Sequence, residues 1–515
     1  MTAGQSVSGV YDVLFTGSRH RVITARSRFV GGIVELETII GLEVHAQVLT
    51  RSKMYCSCSA EYSSAPPNTH TCPVCLGLPG ALPVINKAAI ETCVKTGVAL
   101  NCEIASFSKM DRKNYGYPDL PKGYQISQYD LPLCLQGSLT FESEGVDVTA
   151  GITRVHIEED TGRLVHARNE TGQEISLVDL NRSGVPLMEI VGDPDLRTPQ
   201  QAGDYLASLR AILRSIGAST GNMEEGAFRC DANISVRATD GTFAGPKVEI
   251  KNMNSFRAVV RALRFEEERQ REVLGAGGSL VQETRGWSEA TGTTVSQRTK
   301  EQAHDYRYFP EPDLPPLTMT PDRLDLIRDT IGELPAARRD RYVAVYEISR
   351  ADAGQIAYDE ALAAYFEGLI GSDADSKRAR SSANWLLNDV IGLQRARSLP
   401  GEEFPVSADQ VRELIDLVES GEMTGRAAKE LLPQLALGES VRDAAGRLSL
   451  LSMDDQDAIR MAARTAIEAF PAAVEDYRRG KTAAIGRLIG ETIRNTGGRA
   501  KPDDVRAILV EELAR

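Results

Sequence analysis

No run in this sequence approaches the roughly 18 consecutive apolar residues of a membrane helix, so no transmembrane segment is expected. Several nucleotide and nucleophile signatures are also absent. No Gly-rich dinucleotide fingerprint stands between a strand and a helix, and no Gly-x-Ser-x-Gly elbow occurs. Gly480-Lys-Thr482 ends like a P-loop, but Glu475 stands where the first glycine is required. Any ATP chemistry must therefore rest on metal-bound carboxylates and basic residues. Positive charge is in short supply overall, with a formal net charge of -13, which argues against a protein coated in nucleic acid. Cysteine is too sparse for a secreted disulfide scaffold. The eight cysteines all lie between Cys56 and Cys230, and a reducing cytoplasm is the expected location. Between Asp12 and Glu35 there is no acid at all, while Arg19, Arg21, Arg26 and Arg28 sit among Ser and Thr. Organelle transit peptides share that look, but residues 1–33 are read as a disordered extension.

What remains is ordinary globular material, 42% hydrophobic and 25% charged. Its length suggests two to four domains. From residue 35 to about 255, short alternating runs broken by Gly, Pro, Asn and Asp read as strands, among them Glu37 to Leu49, Val146 to His156 and Lys247 to Lys251. Thr198 with Pro199 opens a helix that stops at Gly217, and Ser255 opens another through Arg269 that stops at the Gly275 to Gly278 cluster. Five prolines between Pro310 and Pro321 mark a domain boundary. Beyond them the period is helical, as in Ala379 to Leu393 and Ala408 to Glu419. The expected organisation is α+β: a β-rich unit over 34–320, an all-α unit over 321–440 and a small helical tail over 441–515. The tail departs from the average charge. Arg478, Arg479, Lys481, Arg487, Arg494, Arg499 and Lys501 face one acid, Glu491.

Five constellations carry possible chemistry. Glu43 and His45 are two apart on a strand and share a face, although a satisfied strand histidine is the commoner outcome. His156-Ile-Glu-Glu-Asp160 places Glu158, Glu159 and Asp160 before a Thr-Gly turn. Carboxylates at a strand end suit Mg²⁺, which takes hard oxygen ligands, but such a run is more often a solvated turn. Alternation pairs Glu158 with His156, so spacing does not choose between Glu158 and Glu159. Asn181, Arg182 and Glu189 are polar positions in an otherwise apolar segment, and Glu189 is expensive to bury unless paired. Cys56, Cys58, Cys72 and Cys75 give two close thiol pairs, a match to tetrahedral Zn²⁺. Lys109, Lys113, Arg229 and Lys251 stand in Asn- and Asp-rich turns and strands. Singly they are solvated loop residues; together they suit phosphates or a substrate carboxylate.

The segments Ile40-Gly-Leu-Glu-Val-His45, Cys72-Pro-Val-Cys-Leu-Gly-Leu-Pro-Gly80, Asp111-Arg-Lys-Asn-Tyr115, Tyr124-Gln-Ile-Ser-Gln-Tyr-Asp130, His156-Ile-Glu-Glu-Asp160, Asp179-Leu-Asn-Arg182, Arg229-Cys-Asp-Ala-Asn233 and Asp305-Tyr-Arg-Tyr-Phe-Pro310 closely resemble the GatB/GatE family, whose members are subunits of tRNA-dependent amidotransferases. The likeness runs from about Glu35 to the C-terminus. It implies a β-rich cradle, a helical domain and a tail resembling the YqeY protein that holds tRNA through Arg478, Arg479, Lys481, Arg487 and Arg494. It implies a carbon–nitrogen ligase with glutamine as amide donor, acting on misacylated Glu-tRNA(Gln) or Asp-tRNA(Asn) through an ATP-derived acyl-phosphate. GatA would supply ammonia, and GatC would complete a heterotrimer. By matching positions, Glu43, His45, Glu159 and Glu189 are the expected Mg²⁺ ligands, with Glu158 as their neighbour. Glu158 and Arg182 join the four as expected catalytic residues. Lys109, Lys113, Arg229 and Lys251 are the expected ATP-binding residues, and the four cysteines match the zinc-bearing members. The rival expectation is a zinc-stabilised RNA-binding scaffold whose catalysis lives in a partner.

Overall fold

The computed structural model describes residues 26–29, 32–299, 305–371, 375–435, 438–451 and 455–514. Most of the expected N-terminal extension, residues 1–25 and 30–31, lies outside them. Its last part is a hairpin: β1 (Arg26–Phe29) folds back on the start of β2 (Gly32–Gln47). The chain divides after Thr320 into two compact units, with residues 208–221 grouping with the second.

The first unit continues with α1 (Lys87–Ala99), β3 (Glu103–Ile104), β4 (Phe107–Ser108), β5 (Asp111–Asn114), β6 (Tyr124–Ser127), β7 (Cys134–Ser143), β8 (Val146–Glu159), β9 (Arg163–Arg168), β10 (Glu174–Asp179) and β11 (Pro186–Gly192). Then come α2 (Pro199–Ser215), β12 (Phe228–Ala238), β13 (Val248–Lys251), α3 (Phe256–Gly275), β14 (Glu283–Ser288), β15 (Thr293–Thr299), β16 (Phe309–Pro310) and β17 (Leu317–Thr318). The main sheet runs β15-β14-β13-β12-β2-β11-β8-β7-β3, antiparallel throughout except for the parallel β13–β14 pair. β16, β5 and β6 form a small separate sheet.

Strand alternation decides which face of the main sheet does what. In β2 the even positions Leu36, Ile40, Leu42, Val44 and Ala46 are buried. Register puts them beside Met188 and Ile190 of β11 and Cys230, Ala232 and Ile234 of β12. Helix α3 packs on β12, and α1 packs on β7 and β8. The odd positions, Glu43, His45 and Gln47, therefore share the opposite face, which is the polar one.

Helix α1 has no counterpart among the sequence expectations. It starts just after a proline-rich loop, where Asn86 caps it by accepting from the Ala88 and Ala89 amides. Helix α3 starts at its Ser255 cap and ends at Gly275, the first glycine of the cluster expected to stop it.

The second unit is helical. It comprises α4 (Pro321–Arg328), α5 (Pro335–Tyr346), α6 (Arg350–Ala357), α7 (Glu360–Ile370), α8 (Ser376–Asn384), α9 (Ile391–Ala396), α10 (Ala408–Glu419), α11 (Gly425–Leu431), α12 (Val441–Arg447), α13 (Gln456–Ala469), α14 (Pro471–Arg478), α15 (Ile485–Asn495) and α16 (Pro502–Ala514). The pattern expected as one helix from Ala379 to Leu393 is α8 and α9 joined by π-helical turns over Trp385–Val390. Two cores hold the unit together. Tyr342, Phe366, Leu386 and Leu414 belong to the first, and Ile459, Leu488 and Leu509 to the second. Val441, Ala444, Ala445 and Leu450 pack in the first core. An expected break at 440/441 would cut through that core, because the apolar face of α12 is buried against the helices before it. The second core draws only on residues from Ile459 onward. Among the described residues no helix is long and apolar enough to cross a membrane.

Candidate functional site

Three neighbouring strands bring the acids and imidazoles together. Glu189 of β11 is the register partner of His45 on β2 and of His156 on β8. Two residues along each outer strand, Glu43 and Glu158 fall on the same face. The His45 Nε2 lies 3.4 Å from Glu189 Oε2 and 3.8 Å from both Glu43 Oε1 and Glu158 Oε1. His156 Nε2 lies 3.6 Å from Glu189 Oε2. The donor atoms of Glu43, His45 and Glu189 all lie within 4.8 Å of one another, as do those of His156, Glu158 and Glu189. Both triads are sets that can hold a metal ion.

The cluster is acidic and largely buried. Glu158 and His156 are each 2% exposed and Glu189 6%. The small sheet covers it in part: Ser127 Oγ of β6 donates to Glu158 Oε2 at 3.2 Å. Burial pushes the Glu158 carboxyl up, against the pull of Lys113. Burial and then the Glu189 charge raise Glu43. Despite its own burial, Glu189 is held below the ordinary carboxylate range by the two imidazoles and Lys113. Burial disfavours the His45 imidazolium, but the hydrogen bond and charge of Glu189, then Glu158 and Glu43, outweigh it and raise His45. Burial takes His156 down to about 4, so it stays a neutral imidazole. Burial also disfavours the Lys113 ammonium, yet Glu158 and Glu189 help hold it charged. Arg154 adds a second cation, its Nη2 3.4 Å from Glu189 Oε1.

Glu159, expected as a ligand, stands apart from this cluster. It projects to the other face of β8, where Lys122 pairs with it and the Ile126 amide donates to Oε1 at 3.0 Å. Glu158 is the acid that the structure brings to His45. Arg182 is also elsewhere. Its guanidinium donates to the Thr161 and Gly162 carbonyls at 3.0 and 2.6 Å, bracing a turn. Lys109 pairs with Asp111 and, at 2.6 Å, with Asp130. Lys251 pairs with Asp231 and lies 3.4 Å from Glu249. Arg229 is the register partner of His45 on β12 and shares the polar face. His156 and Arg154 are additions to the expected site residues. The signal for both is alternation along β8 from Glu158.

The sulfurs of Cys56, Cys58, Cys72 and Cys75 also lie within 4.8 Å of one another and can hold a metal ion. The Cys72 amide donates to the Cys75 sulfur at 3.0 Å, and the Leu76 amide to the Cys72 carbonyl at 3.0 Å, which is the turn of a metal knuckle. Hydrogen bonding from Cys56, with Lys53 nearby, lowers the Cys75 thiol to about 5.

Arg478, Arg479, Lys481, Arg487 and Arg494 are all exposed. Arg479 pairs with Glu475, Lys481 with Asp476 at 3.0 Å and Arg494 with Glu491 at 3.2 Å. The Arg487 guanidinium lies 4.6 Å from the Phe470 ring centroid. Helix α14 thus brings two acids to a patch that looked almost free of them in sequence. Such exposed pairs are weak and screened by salt.

The GatB/GatE catalytic domain model matches residues 38–325, and a second GatB domain model matches residues 364–513. Among similar proteins, one from Thermomicrobium roseum, named as a subunit of the aspartyl/glutamyl-tRNA(Asn/Gln) amidotransferase, is 53% identical over 481 residues, covering 93% of this chain and 99% of the relative. One of the same name from Moorella thermoacetica is 47% identical, covering 93% of this chain and 100% of the relative.

The two adjacent acids separate experimentally. Glu159→Gln strands the Lys122 ammonium, and breaking a buried pair from one side costs roughly 3–5 kcal/mol. Glu158→Gln relieves carboxylate crowding and costs much less. Urea unfolding of both variants in EDTA at neutral pH should rank them in that order; the reverse ranking would reject the assignment of faces.

Proposed function

Because the chain belongs to the GatB/GatE family, we propose that it is the carboxylate-activating subunit of a tRNA-dependent amidotransferase. It is a carbon–nitrogen ligase with glutamine as amide donor, and its substrates are ATP and misacylated Glu-tRNA(Gln) or Asp-tRNA(Asn). The observation that carries this reading is the convergence of Glu43, His45, His156, Glu158 and Glu189 from three strands of one polar sheet face.

A free carboxylate is a poor electrophile toward ammonia. One oxygen of the substrate's side-chain carboxylate attacks the γ-phosphorus of ATP, and ADP leaves. Ammonia then attacks the acyl carbon, the bond from carbon to the phosphoryl oxygen breaks, and phosphate departs. The amide remains on the tRNA. Ammonia comes from glutamine in a GatA partner, and GatC completes the heterotrimer in the cytoplasm.

The donor set fits Mg²⁺. Three carboxylates supply hard oxygens, and the nearby cations Lys113 and Arg154 are too few to offset buried acids. Glu43, His45, Glu158 and Glu189 would hold the ion; when bound it neutralises charge on the transferring phosphoryl group. This chain's own part is to bind and orient. Lys113 is a half-buried cation within range of the charges of Glu158 and Glu189, placed to attract the triphosphate. Arg229 presents a guanidinium beside His45. The small sheet over Glu158 keeps water from the activated acyl group. The four thiols of the knuckle are a donor set for structural Zn²⁺. The second helical core carries the exposed arginines that grip tRNA phosphates.

Glu189→Gln in the reconstituted complex should lower amidation kcat by at least roughly 100-fold, while glutamine hydrolysis and tRNA binding persist. Unchanged amidation would sink the site assignment. Metal analysis of the purified chain should find about one zinc per chain, as four thiolates require, and a content far below that would reject the knuckle. Arg478→Glu with Arg487→Glu should raise the KM for misacylated tRNA ~5- to 10-fold and flatten its salt dependence, leaving the KM for ATP unchanged. Equal shifts in both would reject a tRNA-specific role for the patch.

A further inference from the structure

Asp160 takes no part in the chemistry above, yet it is one of the most fully engaged carboxylates in the first unit. It follows the last residue of β8 and continues the row of His156 and Glu158 by alternation. The residue is 2% exposed. One oxygen, Oδ2, accepts from Gln47 Nε2 at 2.8 Å and from Arg229 Nη2 at 2.8 Å. The other, Oδ1, accepts from the Thr161 amide at 2.9 Å. Arg182 Nε lies 3.8 Å away. Burial would raise Asp160, but Arg229 and Arg182 lead the groups that hold it below the ordinary carboxylate range. Gln47 is itself fixed, since Tyr62 exchanges hydrogen bonds with its amide at 2.9 and 3.2 Å.

These contacts fix the Asp160 carboxylate, and the carboxylate in turn holds Arg229. That arginine is the register partner of His45, and Glu158 lies within range of its charge. Asp160 takes one of its terminal nitrogens. Its Nε is buried and has no hydrogen-bond partner among the described residues. A buried donor left unmade costs free energy in the unliganded protein. The Arg229 side chain as a whole is 37% exposed, which leaves part of the arginine open to a ligand, and a guanidinium binds an oxyanion best, through paired N–H···O bonds.

We propose that Arg229 is the oxyanion-binding residue of this site and that Asp160 is its positioning residue, aiming the guanidinium at a carboxylate or phosphoryl oxygen of a reactant. This rests on the amidotransferase reading, which names two such reactants: the side-chain carboxylate of the aminoacyl ester and the terminal phosphate of ATP. Gln47, Arg229 and the Thr161 amide occupy three of the roughly four lone-pair directions of the Asp160 carboxylate. Its work is done through the arginine.

The test uses the reconstituted complex with glutamine as ammonia source, varying ATP and misacylated tRNA separately. Arg229→Ala should raise the KM for one of the two roughly 10- to 100-fold, the loss expected for a charge-assisted hydrogen bond, with a smaller change in kcat. Added methylguanidinium should restore part of it. Asp160→Asn should shift the same KM in the same direction, and the double variant should be no worse than Arg229→Ala alone. A shift in the KM for misacylated tRNA assigns the carboxylate; a shift in the KM for ATP assigns the phosphate. Arg229→Lys keeps charge and bulk, so it covers the case in which Asp160→Asn does not fold. Its failure to shift either KM, or a fully additive double variant, overturns the proposal. If the unaltered complex performs no ATP-dependent amidation, the underlying reading fails first, before any variant is compared.

Discussion

Glu189 stands between two imidazoles, and that placement depends on the alternation of three strands. His45, Glu189 and His156 form a single cross-strand row. A slip of one residue in β11 would send Glu189 into the apolar layer beside Val44 and Val155, and would bring Met188 or Ile190 to the polar face. The apolar side therefore enforces the register of the polar side. Met188 and Ile190 are 0% exposed, as are Val44 and Val155. The core beneath the sheet is what makes an otherwise unfavourable row of acids tolerable above it.

That row has a definite electrostatic character. Three carboxylates and two imidazoles share a half-buried surface, and their preferences diverge. Glu189 is held ionised, Glu43 and Glu158 are pushed toward protonation, His45 is drawn toward the cation and His156 toward the neutral ring. Such divergence among neighbours is characteristic of sites that bind cations or move charge. The cationic groups arrive from different directions: Lys113 from the small sheet, Arg154 along β8 and Arg229 across β2. Anionic reactants thus meet positive charge around an acidic floor. A carboxylate and a phosphate must both approach in the proposed reaction.

Much of this was legible in the sequence, because alternation is a local signal. That Glu43 and His45 share a strand face, and that helices start at Pro199 and Ser255, could be read from spacing and caps; that Glu43, His45 and Glu189 belong together was implied only by the family resemblance. The choice between Glu158 and Glu159 could not be read from spacing. It turns on Lys122, 37 residues away in sequence, which captures Glu159 on the far side of the strand. Arg182 likewise finds its partners outside its own segment: the carbonyls of Thr161 and Gly162, and the Asp160 carboxylate 3.8 Å from its Nε. The basic tail looked more cationic than it is because Glu475 and Asp476 precede the window of arginines, and one turn of helix brings them back to it. Helix α1 escaped notice because its cap residue, Asn86, sits at the end of a proline-rich loop rather than before a strongly amphipathic run.

The same logic explains how a cysteine knuckle outside the acidic cluster bears on it. The segment that carries Cys72 is stitched to the turn before β11. His70 donates its amide to Asn181 Oδ1 at 2.8 Å, and Asn181 Nδ2 donates to the Pro66 carbonyl at 2.7 Å. Beneath them Lys53, 0% exposed, donates to the carbonyls of His70 and Leu180 at 2.8 and 3.3 Å. At the end of that turn Gly184 has φ +87°, a conformation that side chains resist, and an added Cβ would meet Lys53 and Cys75 at 3.5 and 3.7 Å. Its amide donates to the Asp160 carbonyl at 2.9 Å, and its carbonyl accepts from Met54 at 2.7 Å. The turn is thus pinned on one side by the knuckle and on the other by the residue that holds Arg229, and β11 leaves it two residues later carrying Glu189. Locking the four sulfurs together constrains this turn, and through it the entry of β11 into the sheet. A metal at the knuckle can therefore support the acidic cluster by geometry alone, without touching a reacting atom.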